Sequence, residues 1–227
     1  MYLVVRKDHA ITMAEGMALA GAGSVRCTDR FREDDHWRDA FTAWAARPHK
    51  VALRATGEEL ADLSNRFDSV CLESAFGPTL LALPPRRHDR VETELAELRP
   101  YTDPPRRRRD DDTDDDPDDG IPLRYVIRPG VLRTTGKAMA QAGHAAQMAA
   151  DRLGPKHPDD FAAWRAAGCP GEVRVADLPR WAALRESPLS VVVADAGLTQ
   201  VAPGTETVLA VAPVADPPQA LTDLPLL

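Results

Sequence analysis

Nine residues, Gly16-Met-Ala-Leu-Ala-Gly-Ala-Gly-Ser24, match Gly136-Lys-Ala-Met-Ala-Gln-Ala-Gly-His144 at an offset of 120 in a chain of 227 residues. Phe41-Thr-Ala-Trp44 matches Phe161-Ala-Ala-Trp164 at the same offset. Thr79-Leu-Leu-Ala-Leu matches Thr207-Val-Leu-Ala-Val, with a shorter loop before it in the first half. Self-similarity of this kind is the mark of a duplication, so both halves are expected to fold on one plan.

That plan is read from periodicity. In the first half, Tyr2 to Arg6, Lys50 to Ala55, Ser69 to Glu73 and Thr79 to Leu83 are strand-like. Helices are expected over Ala14 to Cys27, around Trp37, Phe41 and Trp44, over Gly57 to Phe67, and over Arg87 to Leu98 with Asp89 as its cap. In the second half, Arg124 to Arg128, Glu172 to Ala176, Leu189 to Ala194 and Thr207 to Ala212 are strand-like. Helices are expected over 134 to 150, Asp159 to Ala167 and Leu178 to Arg185. Alternation of this kind makes each half an α/β layered unit.

Between the halves, residues 103 to 120 carry no apolar side chain other than prolines and hold the run Arg106 to Arg109 followed by eight aspartates. Such a stretch buries nothing and is expected to be a hydrated, disordered tether. It also carries much of the net charge of −7, because residues 120 to 227 hold ten basic and ten acidic side chains. Neither half is basic, so nucleic-acid affinity has to come from a local patch. Cys27, Cys71 and Cys169 are far apart, with no CxxC spacing, and are expected to be free thiols rather than disulfides or zinc ligands. No apolar run reaches the roughly 20 residues of a membrane span. A soluble, cytoplasmic protein is expected.

The helix over 134 to 150 is the chemically distinctive element. Lys137, Gln141 and His144 stand at i, i+4 and i+7, within a sector roughly 60° wide. The rest of its surface is Ala, Gly and Met, which suits close approach to a sheet. It is not a nucleotide-binding P-loop: five residues separate Gly130 from Gly136, and Ala138 stands where a magnesium-binding hydroxyl is needed. The first-half counterparts of the stripe are Met17, Gly21 and Ser24. The small packing residues are kept while the polar ones are lost, which argues for a site in the second half only.

Residues 121 to 227 resemble the type 2 peptidyl-tRNA hydrolases. The resemblance rests on Tyr-Val-Ile-Arg at 125 to 128, on Gly136-Lys-x-x-Ala-Gln-x-x-His144-Ala-Ala, and on Asp195-Ala-Gly-x-Thr-Gln-x-Ala-Pro-Gly-Thr-x-Thr207-Val-Leu-Ala. It implies two tandem α/β/α three-layer domains, each around a four-stranded mixed sheet, forming a pseudo-dimer that is monomeric in solution. Residues 1–102 would be a degenerate copy, 103–120 a linker and 121–227 the active domain. It further implies cofactor-free, metal-free hydrolysis of the ester in peptidyl-tRNA, with tRNA as partner. Lys137, His144, Asp195, Thr199 and Thr207 match the family's active-site positions, and Gln141, Gln200 and Arg128 are candidates for holding substrate.

These residue types suit ester hydrolysis. Lys137, at the positive end of a helix, is placed to stabilise an oxyanion or hold a phosphate. His144 suits deprotonation of water near neutral pH, with Asp195 orienting or sharing that proton. Thr199 and Thr207 can hold the water, the ribose or the carbonyl. Ala194 and Leu198 stand where the family has basic residues, so missing phosphate contacts are expected from Arg26, Arg30, Arg32, Arg38, Arg86, Arg87 and Arg90. The alternative is a non-hydrolytic tRNA-binding or protein-interaction module on the same scaffold.

Overall fold

A computed structural model describes residues 1–8, 11–74, 77–86, 91–103, 120–197 and 201–227. The first half runs β1 (Tyr2–Arg6), α1 (Met13–Phe31), α2 (Arg38–Ala46), β2 (Val51–Ala55), α3 (Gly57–Arg66), β3 (Val70–Ser74), β4 (Gly77–Leu83), α4 (Thr93–Glu97) and β5 (Arg99–Pro100). The second runs β6 (Leu123–Ile127), α5 (Thr135–Arg152), α6 (Pro158–Ala166), β7 (Gly171–Val175), α7 (Leu178–Arg185), β8 (Ser190–Ala194), β9 (Glu206–Val211) and α8 (Gln219–Thr222).

The helices begin where side chains can satisfy their first amide groups. Thr12 with Glu15 and Thr56 with Glu59 form capping boxes at α1 and α3, and Asp177 caps α7. Helix α1 continues four residues beyond the expected Cys27, because Thr28 and Phe31 are buried on the face that carries Ser24 and Cys27. The expected helix over Arg87 to Leu98 is shorter, Thr93–Glu97, and begins at Glu92 without a side-chain cap. Its expected cap, Asp89, lies outside the described residues, as do residues 104–119 of the expected tether.

The first sheet has the order β3-β4-β1-β2-β5 and the second β8-β9-β6-β7. In both, the pair joined through two helices is parallel (β1 with β2, β6 with β7) and the others are antiparallel. The internal similarity therefore extends to strand order and sense. The first sheet departs from the expected four strands: Arg99 and Pro100 add an edge strand opposite Arg54 and Leu53, a position where proline is tolerated. Small details repeat as well. Trp44 Nε1 donates to the His49 carbonyl and Trp164 Nε1 to the Pro170 carbonyl, each at 2.8 Å and each just before the parallel strand.

Alternation along the strands divides the core into three clusters. Val4, Leu81 and Leu83 pack on α3 and α4 through Leu60, Leu63 and Leu95. Val126, Leu209 and Val211 pack on α7 and α8 through Trp181, Leu184, Leu221 and Leu224. The opposite faces of both sheets, carrying Leu3, Val5, Leu80, Leu123, Tyr125, Ile127 and Val208, share one cluster with α1 and α5. The central core thus belongs to both halves together.

Helices α1 and α5 lie side by side in the same direction. Gly16 faces Met139, Ala20 and Ser24 face Gly143, Thr28 hydrogen-bonds Gln147, and Arg32 pairs with Asp151. The small surface of α5 therefore serves the other half as well as its own sheet. A Cβ on Gly143 would stand 2.6 Å from Ser24 Oγ and 2.9 Å from Lys50 Cδ, and one on Gly136 would stand 1.9 Å from the Tyr101 carbonyl oxygen. Asp103, expected in the tether, is also ordered against α5: its carbonyl accepts from Thr135 N–H, and its carboxylate pairs with Arg54. Among the described residues no helix is long and apolar enough to cross a membrane.

Candidate active site

The first turn of α5 meets the end of β8 and the start of β9. Thr134 caps α5 through the Lys137 amide, which sets Lys137 in the opening turn, where unpaired amides concentrate positive potential. Asp195 follows the last residue of β8. Its backbone is pinned by bonds from its N–H to the Thr205 carbonyl and from Gly204 N–H to its own carbonyl. Its Oδ1 accepts from Gly197 N–H at 2.7 Å, an Asx turn that aims Oδ2 at α5. Gly197 has φ +77°, and a Cβ there would strike Pro203, so the turn requires glycine.

Asp195 Oδ2 pairs with Lys137 Nζ and accepts from Gln141 Nε2 at 2.7 Å. A carboxylate only accepts, so the Gln141 carbonyl oxygen must face the other way. There it accepts from Thr207 Oγ1 at 2.9 Å, and Thr207 also lies 3.2 Å from the Val193 carbonyl. The result is a chain, Lys137–Asp195–Gln141–Thr207, with the Asp195 side chain 3% and the Lys137 side chain 13% exposed. Gln141, expected only as a substrate contact, is the buried centre of this chain. Arg128 extends β6 toward the same end, its N–H donating to the Thr207 carbonyl. Thr199 and Gln200 lie outside the described residues.

His144 is not brought to Asp195, and the expected His–Asp pair is absent among the described residues. Two helical turns along α5, it lies beside the first half instead. Burial, with the positive charges of Lys50, the N-terminal ammonium, His49 and Lys137, holds it well below the ordinary histidine range. The cause is axial: His144 shares the sector of Lys137 and Gln141 but stands two turns further along α5 than Lys137, at the level where Gly143 abuts α1 and Lys50.

Of the arginines expected to meet phosphate, Arg26 and Arg30 line an open groove of about 880 Å³ with Arg66 and Arg165. Arg32 pairs with Asp151 and Arg38 with Asp35. Arg86 is a correction: its side chain is 6% exposed, bound to Glu92 and stacked 4.3 Å over the Trp37 ring, so it braces the first half. Arg87 and Arg90 lie outside the described residues.

The corresponding end of the first half has no such chain among the described residues. Thr79 there bonds Ser74 at 2.9 Å, and Met17 and Gly21 occupy the positions of Lys137 and Gln141. Cys27, Cys71 and Cys169 are free thiols, and no group of metal-ligating side chains forms among the described residues.

A family model described as peptidyl-tRNA hydrolase PTH2 matches residues 122–220. No curated protein matches the chain. The matched stretch holds Lys137, Gln141, His144, Asp195 and Thr207, and it is this second half that is similar to the peptidyl-tRNA hydrolase PTH2 family.

Proposed function

We propose that the chain hydrolyses the ester joining a peptidyl or N-blocked aminoacyl group to tRNA, releasing free tRNA. The observation that carries this reading is the buried Lys137–Asp195–Gln141–Thr207 chain inside the stretch that matches the hydrolase family. In an apolar wall such a network is costly unless it is used or fully satisfied.

Water adds to the ester carbonyl carbon, and the carbonyl oxygen becomes an oxyanion. Lys137, held at the helix N-terminus by Asp195, stabilises that charge. Asp195 already accepts from Lys137, Gln141 and Gly197, so it acts by aiming the ammonium rather than by taking the proton. The proton passes to His144, whose neutral imidazole is the form needed for a base. Lys137 and His144 stand about 10 Å apart along the axis at 1.5 Å per residue. Collapse of the intermediate breaks the bond to the ribose oxygen, which takes up the proton. Thr207 keeps Gln141 in its amide orientation. Thr199, Gln200 and Arg128 are assigned to substrate by their place in the resemblance.

The first half fits the role of a degenerate second copy, and its shared strand order and the common core support a pseudo-dimer within one chain. The three-layer arrangement, the domain limits 1–102 and 121–227, a monomeric state and a cytoplasmic location belong to the same reading. Release of free peptide from a labelled N-blocked aminoacyl-tRNA tests it. Turnover that Lys137→Ala abolishes is expected; binding of tRNA without turnover would replace the hydrolase with a binding module.

A further inference from the structure

Lys50, from the first half, is a buried cation outside the chain of site residues. It is 8% exposed, and among the described residues no carboxylate lies within ion-pair distance of its ammonium. The ammonium is held by Met1 Sδ at 3.0 Å and lies 4.8 Å from the Trp44 ring centroid. Its stem touches α5: Lys50 Cδ is 2.9 Å from where a Cβ on Gly143 would stand, one residue before His144. Ser24, on the α1 face of the same contact, is fully buried with an unpartnered hydroxyl.

We infer that Lys50 is a positioning residue for the second half's site, acting on His144 across the seam between α1 and α5. The inference rests on the hydrolase reading only for its effect on turnover. Like charges on a largely buried seam repel. Burial lowers Lys50 to about 7, above the range to which His144 is pushed, so a proton arriving on acidification goes first to Lys50. Once charged, Lys50 keeps His144 in its basic form. The other groups facing this contact are His49, Lys137 and the N-terminal amine, which burial and Lys50 lower to about 4, so that it is uncharged while Lys50 titrates. Asp151 favours the charged form of Lys50 and Arg32 opposes it, while burial raises the Cys27 thiol to about 12 and leaves it neutral where Lys50 titrates.

The test is the titration of His144 by NMR in the ¹⁵N-histidine-labelled full chain, assigned with His144→Gln and read without substrate. In Lys50→Met the His144 midpoint moves up, and in Lys50→Arg, which keeps the charge, it stays. In the unmodified chain the His144 signal also responds near pH 7, when Lys50 takes its proton. With substrate, the acid limb of kcat/KM moves with the His144 midpoint to higher pH in Lys50→Met, a loss of about threefold or more at the acid end. An unmoved midpoint in Lys50→Met overturns the inference. Should that variant not fold, the absence of a response near pH 7 in the unmodified chain overturns it equally. A chain that fails to hydrolyse peptidyl-tRNA would remove the proposed function and leave the titration result standing.

Discussion

Replacing Lys50 with methionine should stabilise the protein, by an amount that depends on pH. The side chains are nearly isosteric, and the change removes an ammonium whose value falls from 10.5 in water to about 7 in the fold, chiefly by burial. Because the folded value is depressed, the unfolded chain binds more protons between about pH 7 and 10.5. Lys50 therefore makes stability rise with pH across that window and exerts its full penalty below it. At about 1.4 kcal/mol per pH unit the penalty is about 5 kcal/mol at pH 6, and about 2 kcal/mol remains at pH 9. Urea denaturation of the full chain and of Lys50→Met at pH 6, 7.5 and 9, at fixed ionic strength, measures the difference directly. The variant should be the more stable at pH 6, with the gap closing as pH rises. A gap that does not change with pH, or a variant less stable at pH 6, would refute the reasoning.

Asp195→Asn takes the counter-charge from Lys137 in a largely buried setting. It should cost about 2 to 4 kcal/mol of stability and lower peptidyl-tRNA turnover on the order of a hundredfold, read by denaturation and by peptide release. Tyr125→Phe removes a buried hydroxyl that has no partner among the described residues, so its stability should lie within about 1 kcal/mol of the parent or above it. Gly136→Ala forces a methyl into the Tyr101 carbonyl; a cost of about 1 to 3 kcal/mol and a fall in kcat through the adjacent Lys137 are expected by denaturation and kinetics. Arg26→Gln and Arg30→Gln should each reduce the salt dependence of tRNA binding by about one counterion, whereas Arg86→Gln should lower the thermal midpoint and leave that slope unchanged.

Most of the strands were legible because the two halves show the same apolar pattern. The expected strand Tyr2 to Arg6 and the expected helix Leu178 to Arg185 coincide with β1 and α7, while most other ends shift by one or two residues. The partnership of Lys137 with Asp195 was not legible from either segment alone, since residues 58 positions apart meet only after β9 has paired with β6 and β8. The place of His144 was hidden for a related reason: helical spacing sets the sector in which a side chain points, not which neighbour fills it. Lys50 and Arg86 were unreadable as buried residues, because nothing local marks a charged side chain that an aromatic ring will cover. The two-residue β5 and one-turn α8 are too short to show a period.

The seam between α1 and α5 is chemically lopsided. Thr28 bonds Gln147, and Arg32 pairs with Asp151, yet the matching positions at the offset of 120 are Met148 with Cys27 and Arg152 with Phe31. In an assembly of identical subunits every interface substitution appears twice, once on each side of the symmetry axis, and the contact has to tolerate it in both places. Two halves joined in one chain are released from that constraint. Each bank of the seam can then carry its own residues, and exchanging Thr28 or Asp151 for the residue at the matching position would remove its bond across the seam.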